Sequence, residues 1–577
     1  MALLTADLVA GIFCFVLLAR LLRRSSRLIH ELPLPPGPPK LPFLGNLLQL
    51  PRHREWEIYL QWDKQYGALL SPFLDEVSYN SQGNNSGIIQ FSAAGTSIVV
   101  INNAQIAIDL LEKRSRIYSS RPPAPMTCDL MGWDWNLGFQ PYDATVLIYI
   151  LAVHIGERWR QHRRLFLKAF NREAAKKFRP IELDATHHLL ARLLEDPAAF
   201  LSHLKHHAAQ VVMSVAYGLE IQTHDDPYVA LAEDAIVPLF EALVPGTFLV
   251  DSIPSLRHVP SWLPGAGFQQ KAREGKNLAL RMLNEPFDAS KKLIASGHNH
   301  PSFVASLLQT VNENEDFEAQ ETLIRETAGG MYLAGSDTTV AALATFIFAM
   351  AISPEVQRKA REEIDRVVQA MKLPTFEDEE SLPYATALVW EVLRWQNVTP
   401  IGVPHCIEDE DEYMGYRIPA GSVVISNVWA ILHDEVRGRL FLLTEVNAKI
   451  EPLSRAFRIQ AGKVLEEWED QPFSQGSIVC GAFVPDEKFS RVCPGRHMAY
   501  PAVWIAIVSM LKTLDISKAI DEDGNIIELV FVPNDAINGG PRPFECSIKP
   551  RSKEAERYIR EQASALTPRA NPHQLSA

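Results

Sequence analysis

The sequence predicts a mainly α-helical fold with a small β-sheet region, organised as one large domain behind an N-terminal membrane anchor. Three observations support this fold class. Most of the 577-residue chain shows the apolar period of amphipathic helices. Strand-like segments are few and short, and neither an internal repeat nor an alternating strand–helix rhythm is present. The last observation argues against a doubly wound parallel sheet.

Amphipathic runs predict the helices, and short runs of β-branched residues predict the strands. The predicted helices are 104–114, 158–178, 181–194, 228–243, 272–294, 323–351, 355–371, 383–395 and 502–514. The predicted strands are 87–91, 97–102, 416–418 and 422–425.

Composition narrows the possible functions. Apolar residues make up 47% of the chain, which is ample for a large core, and the net charge of −13 argues against a nucleic-acid partner. The absence of a CxxC pair or an HExxH motif leaves a zinc site without support. The cysteines are widely spaced, which fits a reducing compartment better than a disulfide framework; they are Cys14, Cys128, Cys406, Cys480, Cys493 and Cys546.

Residues 1–28 are predicted to be a membrane anchor helix. Ala2–Leu22 is apolar apart from three residues, and a helix of that length spans roughly 31 Å, close to the thickness of a bilayer core. Arginines follow the run and none precedes it, so the positive-inside rule places the rest of the chain in the cytosol. A cleaved signal peptide is the alternative, but its usual basic start and small-residue cleavage site are missing.

A Pro-rich hinge is predicted over residues 29–50. The density of prolines in Leu32–Lys40 prevents a helix and favours stiff extended backbone, although an ordinary linker remains the alternative. Residues 51–550 then form the main domain. The polar residues 551–577 are expected to be a loose C-terminal tail.

Cys493 stands in the segment Ser490–Ala499, just before an apolar helical run. A cysteine ahead of a helix N-terminus meets the positive end of the helix dipole, which favours the thiolate. Pro494 and Gly495 predict a tight turn that lets the sulfur point away from the backbone. A thiolate in this position can ligate haem iron, whereas a buried structural cysteine is the alternative.

A second segment, Ala334–Thr339, lies within an otherwise apolar helix. Each nearby glycine costs about 1 kcal/mol of helix stability relative to alanine, which indicates that something approaches the backbone closely. Asp337 and Thr338 place a carboxylate beside a hydroxyl, a suitable pair for proton transfer to dioxygen. A solvated turn, or a kinked helix with satisfied hydroxyls, is the alternative.

Two further pairs have helical spacing. Glu391 and Arg394 are three residues apart and can pair on one helix face, either in the interior or as a common surface ion pair. Trp159 and Arg163 are four residues apart, so an indole and a guanidinium share a face suited to a planar anionic ligand.

In this order and spacing, the four segments resemble the cytochrome P450 family, and the likeness runs from about residue 32 to 550. Residues 130–135, 427–434 and 520–525 are most similar to fungal members, and the Pro-rich elbow behind an anchor is typical of microsomal forms. The resemblance implies a single large haem-thiolate monooxygenase fold. It also implies an enzyme that inserts one oxygen atom from O₂ into a lipophilic small molecule, in secondary metabolism.

The resemblance assigns a role to each candidate residue. Cys493 corresponds to the axial thiolate and metal ligand of haem b. Asp337 and Thr338 correspond to the pair that delivers protons. Residues in the haem-binding positions are Trp159, Arg163 and Arg491, and the structural pair is Glu391 and Arg394.

The resemblance also implies partners and a location. Electrons are expected from NADPH through a membrane-bound reductase, and the lipid bilayer is expected to hold the anchor. The implied location is the endoplasmic reticulum membrane, with a single span and a cytosolic catalytic domain.

The sequence departs from the family around the cysteine. The family pattern is Phe-x-x-Gly-x-Arg-x-Cys-x-Gly, but here Asp486 stands in place of the Phe and Phe489 in place of the first Gly. A bulky residue resists a positive φ, and a carboxylate near the sulfur disfavours a thiolate. A non-catalytic or inactive membrane haem protein is therefore the alternative function. A thiolate-haem isomerase or dehydratase is a third, which the retained Asp337 and Thr338 disfavour.

Three stretches resemble nothing in the family, although family-like sequence resumes on both sides of each. They are residues 68–86, 143–155 and 435–488. We hypothesise that they are retained introns or an altered reading frame. The hypothesis fails if sequencing of the mature transcript finds all three.

Overall fold

The structure is a computed structural model that describes residues 32–565, except 43, 68–85, 143–154, 223–224, 245, 298–300, 312–315, 371, 435–492 and 535–538. Over these residues the fold is mainly α-helical with small sheets, so the predicted fold class is confirmed. The anchor 1–28, Arg491, Asp486 and Phe489 lie outside the described residues.

The described helices include counterparts of the predicted ones in the same order, but the helices over Glu55–Tyr66 and Phe200–Tyr217 were not predicted. Single-turn 3₁₀ and π-helical segments lie between them, including a π-helical turn over Pro125–Leu130. The α-helices are α1 Glu55–Tyr66, α2 Ala104–Ala107, α3 Ser115–Tyr118, α4 Ile155–Phe170, α5 Arg179–Glu195, α6 Phe200–Tyr217, α7 Pro227–Leu243, α8 Leu249–Ser252, α9 Gly267–Ala295, α10 Phe303–Leu308, α11 Phe317–Ile352, α12 Pro354–Val367, α13 Pro383–Trp395, α14 Val428–Leu432, α15 Arg496–Thr513 and α16 Lys553–Ala565.

The strands form one four-stranded sheet and two hairpin-like pairs. They are β1 Ile88–Ala93, β2 Thr96–Ile101, β3 His405–Cys406, β4 Asp411–Tyr413, β5 Tyr416–Ile418, β6 Val423–Ser426, β7 Leu514–Lys518 and β8 Cys546–Pro550. The larger sheet has the order β1-β2-β6-β3, with β2 and β6 parallel and the other two pairings antiparallel. The smaller sheets pair β4 with β5 and β7 with β8.

Helix α11 is the central element of the helical core. It packs against α4, α6, α9, α13 and α15, and its C-terminal half is almost wholly buried. Among the described residues it is the one helix that is long and apolar enough to cross a bilayer, but 67% of its most apolar window is buried inside the fold. Its apolar character therefore reflects its position in the core.

Two predicted boundaries are corrected. The helix expected over 158–178 ends at Phe170, because the Asn171 side chain accepts backbone N–H groups from Glu173 and Ala174 and so forms a local turn. The prediction of a loose tail over 551–577 is wrong for residues 553–565, which the structure describes. Helix α16 occupies 553–565, and its Ile559 is 1% exposed within the core.

Gly67 and Ser86, on either side of residues 68–85 in the atypical stretch 68–86, lie side by side. A Cβ on Gly67 would be 2.6 Å from the backbone nitrogen of Ser86. A segment whose ends meet can be removed at little cost to the rest of a fold. Joining Gly67 directly to Ser86 is therefore expected to shift the thermal midpoint by less than about 2 °C, measured by circular dichroism. A chain that fails to fold without 68–85 contradicts this expectation.

Buried histidines between α5 and α6 make the fold sensitive to acid. Burial lowers the pKa of His207 to about 4, and its Nδ1 lies 3.2 Å from the carbonyl oxygen of Ala185. The unfolded pKa is about 6.5, so the neutral ring stabilises the fold fully above pH 6.5. That contribution, about 3 kcal/mol at most, is lost as the pH falls towards 4.

We expect the unfolding free energy from urea titrations to decline between pH 6.5 and 4, and His207→Gln to flatten the decline. The exposed residue His258 provides the control, because His258→Gln should leave the profile unchanged. A wild-type profile that is flat over this range contradicts the assignment.

Candidate functional site

Cys493 lies three residues before the first residue of α15, near the helix end that carries free backbone N–H groups. Backbone N–H groups of Gly495 and Arg496 donate to its sulfur. Burial raises the pKa of the Cys493 thiol, whereas these N–H groups and the guanidinium groups of Arg163 and Arg496 favour the thiolate. The local charge is therefore arranged for an anionic sulfur, and burial works against it.

Helix α4 brings Trp159 and Arg163 to the same region. Trp159 is buried, and its ring centroid lies 5.1 Å from that of Tyr142. Burial lowers the pKa of Arg163 to about 10, while the Cys493 sulfur favours its charged form and Arg496 opposes it. The structure thus places Arg163 within electrostatic reach of Cys493, although 330 positions separate them in the sequence.

Arg121 is a candidate that the sequence analysis missed. Its Nη1 donates to the carbonyl oxygens of Val403 and Pro404, and burial alone lowers its pKa to about 10. Its Nε is buried without a hydrogen-bond partner. The neighbouring Ser120 accepts the backbone N–H of Tyr142, whose ring packs on Trp159, so Arg121 borders the same region. The only signal in the sequence was a lone cation ahead of two prolines.

Asp337 and Thr338 lie within an unbroken helix, so the solvated-turn alternative is excluded. Burial raises the pKa of Asp337, Lys205 lowers it and Glu233 raises it. Thr338 Oγ1 donates to the carbonyl oxygen of Ala334 at 2.7 Å. The Thr338 hydroxyl proton therefore points to the carbonyl oxygen of Ala334, and the lone pairs of Thr338 Oγ1 remain able to accept a proton.

The glycines of α11 are indeed sites of close approach, but protein side chains approach them. A Cβ on Gly329 would lie 2.9 Å from both Trp135 Cζ3 and Leu283 Cδ1, and one on Gly335 would lie 2.4 Å from Val212 Cγ2. These glycines let α11 pack tightly against its neighbours. They carry no information about a ligand.

Glu391 and Arg394 form a buried two-point ion pair on α13. Arg394 Nε donates to Glu391 Oε2 at 2.7 Å, Nη2 donates to Oε1 at 2.9 Å, and Nη1 donates to the carbonyl oxygen of Leu432 at 2.7 Å. Burial lowers the pKa of Arg394, but Glu391 outweighs it and holds that pKa above its ordinary value. The pair joins α13 to the end of α14.

Breaking this pair is expected to destabilise the protein strongly. Glu391→Gln leaves a buried guanidinium without its carboxylate, which costs about 3–5 kcal/mol. Urea unfolding followed by circular dichroism measures the loss. The matched control is Glu355→Gln, which removes the exposed pair with Arg358 and should change little. Equal effects of the two substitutions contradict the structural role.

Comparison with known proteins identifies the lineage. The family model described as Cytochrome P450 matches residues 84–436. The chain is 40% identical to Cytochrome P450 monooxygenase 98 of Postia placenta, covering 96% of each chain. It is 39% identical to Cytochrome P450 monooxygenase ple1 of Rhodocybe pseudopiperita over 91% of each. It is 35% identical to the tryptamine 4-monooxygenase of Psilocybe cyanescens over 92% of this chain and 95% of that one.

A mainly α-helical fold around α11, with a cysteine three residues ahead of α15, is the arrangement expected of a haem-thiolate oxygenase. The chain belongs to the cytochrome P450 family. It is a monooxygenase of fungal type, and the fold and enzyme class predicted from the sequence are confirmed. The family implies a thiolate-ligated haem, a redox partner and a lipophilic substrate. The comparisons give no support to the alternative of a non-catalytic haem protein.

The described residues fit that haem. A sulfur receives N–H groups at a helix end, and buried guanidinium groups lie around it. Arg121 Nε and Arg496 Nε are both buried and without a hydrogen-bond partner, which is the environment expected for anionic carboxylate groups. When bound, haem supplies the redox chemistry that activates dioxygen.

Proposed function

We propose that Cys493 is the axial ligand of haem b, and that Trp159, Arg163 and Arg491 hold its propionates. One observation carries this proposal: Arg163 lies within electrostatic reach of Cys493, near the N-terminal end of α15. Two guanidinium groups with unpartnered Nε atoms, Arg121 and Arg496, add donors of the type that carboxylates accept. Glu391 and Arg394 support the site from α13 as a structural pair.

Asp337 and Thr338 are proposed to supply the protons that reduction of dioxygen at the haem would require. The raised pKa of Asp337 favours a carboxyl group that takes up a proton from outside the core and releases it inward. Lys205 is paired with Glu233 at 3.0 Å, and both influence Asp337, which makes this ion pair the outer end of the route. The Thr338 hydroxyl, with its own proton held by Ala334, is placed to receive and pass on the next one.

We further propose the domain organisation and location. Residues 1–28 anchor the chain in the endoplasmic reticulum membrane as a single span, 29–50 form the hinge, and 51–550 form the cytosolic catalytic domain. Exposed apolar side chains support bilayer contact near the hinge: Leu48 is 74% exposed and Leu249 56%. Gly246 lies beside Leu47 and Leu50, so the α8 region adjoins the hinge.

The bilayer proposal is tested by flotation with phospholipid vesicles. The full chain is expected to float with the vesicles, and a chain lacking residues 1–28 to float more weakly. If both forms stay in the soluble fraction, membrane association is wrong.

Electrons are proposed to come from NADPH through a membrane-bound reductase, since an anchored cytosolic domain would share the bilayer surface with it. The substrate is proposed to be a lipophilic secondary metabolite. The relative named tryptamine 4-monooxygenase makes small aromatic amines one class to try.

Turnover with reductase, NADPH and ¹⁸O₂ tests the proposed activity. We expect one labelled oxygen atom in the product of an apolar substrate panel that includes tryptamine and terpenoids, and no product without NADPH. Product that forms without O₂ or NADPH instead supports a thiolate-haem isomerase or dehydratase. If the haem-loaded enzyme forms no product from any member of the panel, the proposed monooxygenase activity is contradicted for those substrate classes.

A further inference from the structure

A buried charge cluster joins α4 to α11. Arg158 and His162 are one helical turn apart on α4, and both reach Glu326 of α11. Arg158 Nε donates to Glu326 Oε2 at 3.1 Å and its Nη2 donates to Oε1, while His162 Nε2 lies 3.3 Å from Oε2. His162 is 0% exposed and Glu326 is 6% exposed. One buried carboxylate therefore lies between a buried imidazole and the partly exposed guanidinium of Arg158.

The hydrogen bonds of Thr327 indicate the role of His162 Nδ1. Thr327 Oγ1 donates its proton to the carbonyl oxygen of Leu323 at 2.6 Å. It therefore accepts from His162 Nδ1, 2.7 Å away, and that nitrogen must carry a proton. The other nitrogen, Nε2, lies 3.3 Å from Glu326 Oε2. Thr327 and Glu326 together fix the ring orientation.

Glu326 is held in its ionised form. Burial raises its pKa, but the hydrogen bonds and charges of His162 and Arg158 outweigh burial and lower it. A buried ion pair adds little net stability, yet breaking it leaves an uncompensated charge. The cluster therefore favours the present rotation of α4 relative to α11, in which all of its charges are paired.

The rotation of α4 relative to α11 also determines which way the proposed haem-binding residues Trp159 and Arg163 point. Trp159 and Arg163 each follow a cluster residue by one position, so they occupy the adjacent face of α4, about 100° around the helix. A rotation of α4 that breaks the contacts to Glu326 would also turn Arg163 away from Cys493. The rotation of α4 is thus coupled to the geometry of the candidate haem site.

We propose that His162, with Glu326 and Arg158, is a positioning residue that holds Arg163 towards the haem. This inference rests on the proposed function, because it assumes that Arg163 contacts a haem propionate. His162 itself acts only through α4. Its loss should weaken haem retention when Arg163 is present, and have little further effect when Arg163 has already been removed.

Haem transfer from the full-length holoprotein to excess apomyoglobin measures retention. Four proteins form a double-mutant cycle: wild type, His162→Gln, Arg163→Gln and the double variant. The matched control is Arg164→Gln, which removes an exposed ion pair with Glu157 on the same helix. We expect His162→Gln to speed haem loss about tenfold in the wild-type background and less than about twofold in the Arg163→Gln background. The control should stay within about twofold of wild type.

The outcomes separate the two proposals. An unchanged rate for His162→Gln, or the same acceleration in both backgrounds, overturns the positioning role and leaves the proposed function standing. If Arg163→Gln retains haem as wild type does, the proposed role of Arg163 fails, and the positioning role fails with it. A wild-type protein that takes up no haem contradicts the proposed function directly.

Discussion

Replacing Cys493 with serine is expected to eliminate the thiolate-type spectrum of the reduced, carbon-monoxide-bound protein and to lower turnover at least about a hundredfold. Serine keeps the size and the turn but offers a far weaker anion to iron. The N–H groups of Gly495 and Arg496 and the charge of Arg163 all favour an anion at the sulfur. Absorption spectroscopy and NADPH-dependent product formation measure both effects.

The matched control is Cys406→Ser. Cys406 is buried in β3 and its thiol lies 3.7 Å from the carbonyl oxygen of Ile407, so it resembles a structural cysteine. That variant should keep the spectrum. If Cys493→Ser keeps a thiolate-type spectrum, another cysteine is the ligand and the assignment is wrong.

The second large effect is expected at Thr338 and Asp337. Thr338→Ala removes the hydroxyl that we propose accepts and passes on protons, and Asp337→Asn removes the carboxyl group whose pKa is raised by burial. Each should lower product formation about a hundredfold or more, within the range for loss of a positioned proton donor. NADPH consumption should fall much less, so most electrons should be released as peroxide.

Comparing product formed with NADPH consumed distinguishes this effect from a loss of folding. Ser336→Ala is the control, because its hydroxyl makes the same type of backbone contact, to Tyr332, and is assigned no proton transfer. If the ratio of product formed to NADPH consumed is unchanged in both Thr338→Ala and Asp337→Asn, the proposed proton route is contradicted.

The helical period of the sequence was sufficient for most of the fold. The helix Pro383–Trp395 and the strand Tyr416–Ile418 have the predicted bounds, because their apolar patterns end at clear turn residues. The helix α16 was missed because the stretch after Arg551 is polar overall, and its burial rests on few residues such as Ile559. A single buried side chain within a charged helix gives little signal in composition.

The site was predictable only in part. Cys493, Trp159, Arg163 and the pair on α13 stood in recognisable segments, and the structure brings Cys493 and Arg163 together. Arg121 was missed because its importance depends on burial without a hydrogen-bond partner at Nε, which spacing does not encode. The role of the glycines in α11 also depends on tertiary structure, because their neighbours Trp135 and Val212 come from distant segments.

The central claim is that Cys493 of this chain ligates haem even though Asp486 and Phe489 replace the usual residues before it. The most direct test is the absorption spectrum of the full-length protein, expressed with haem, reduced and exposed to carbon monoxide. We predict the band that is characteristic of a thiolate-ligated P450 haem. A protein that folds, shown by circular dichroism, but gives no such band contradicts the claim.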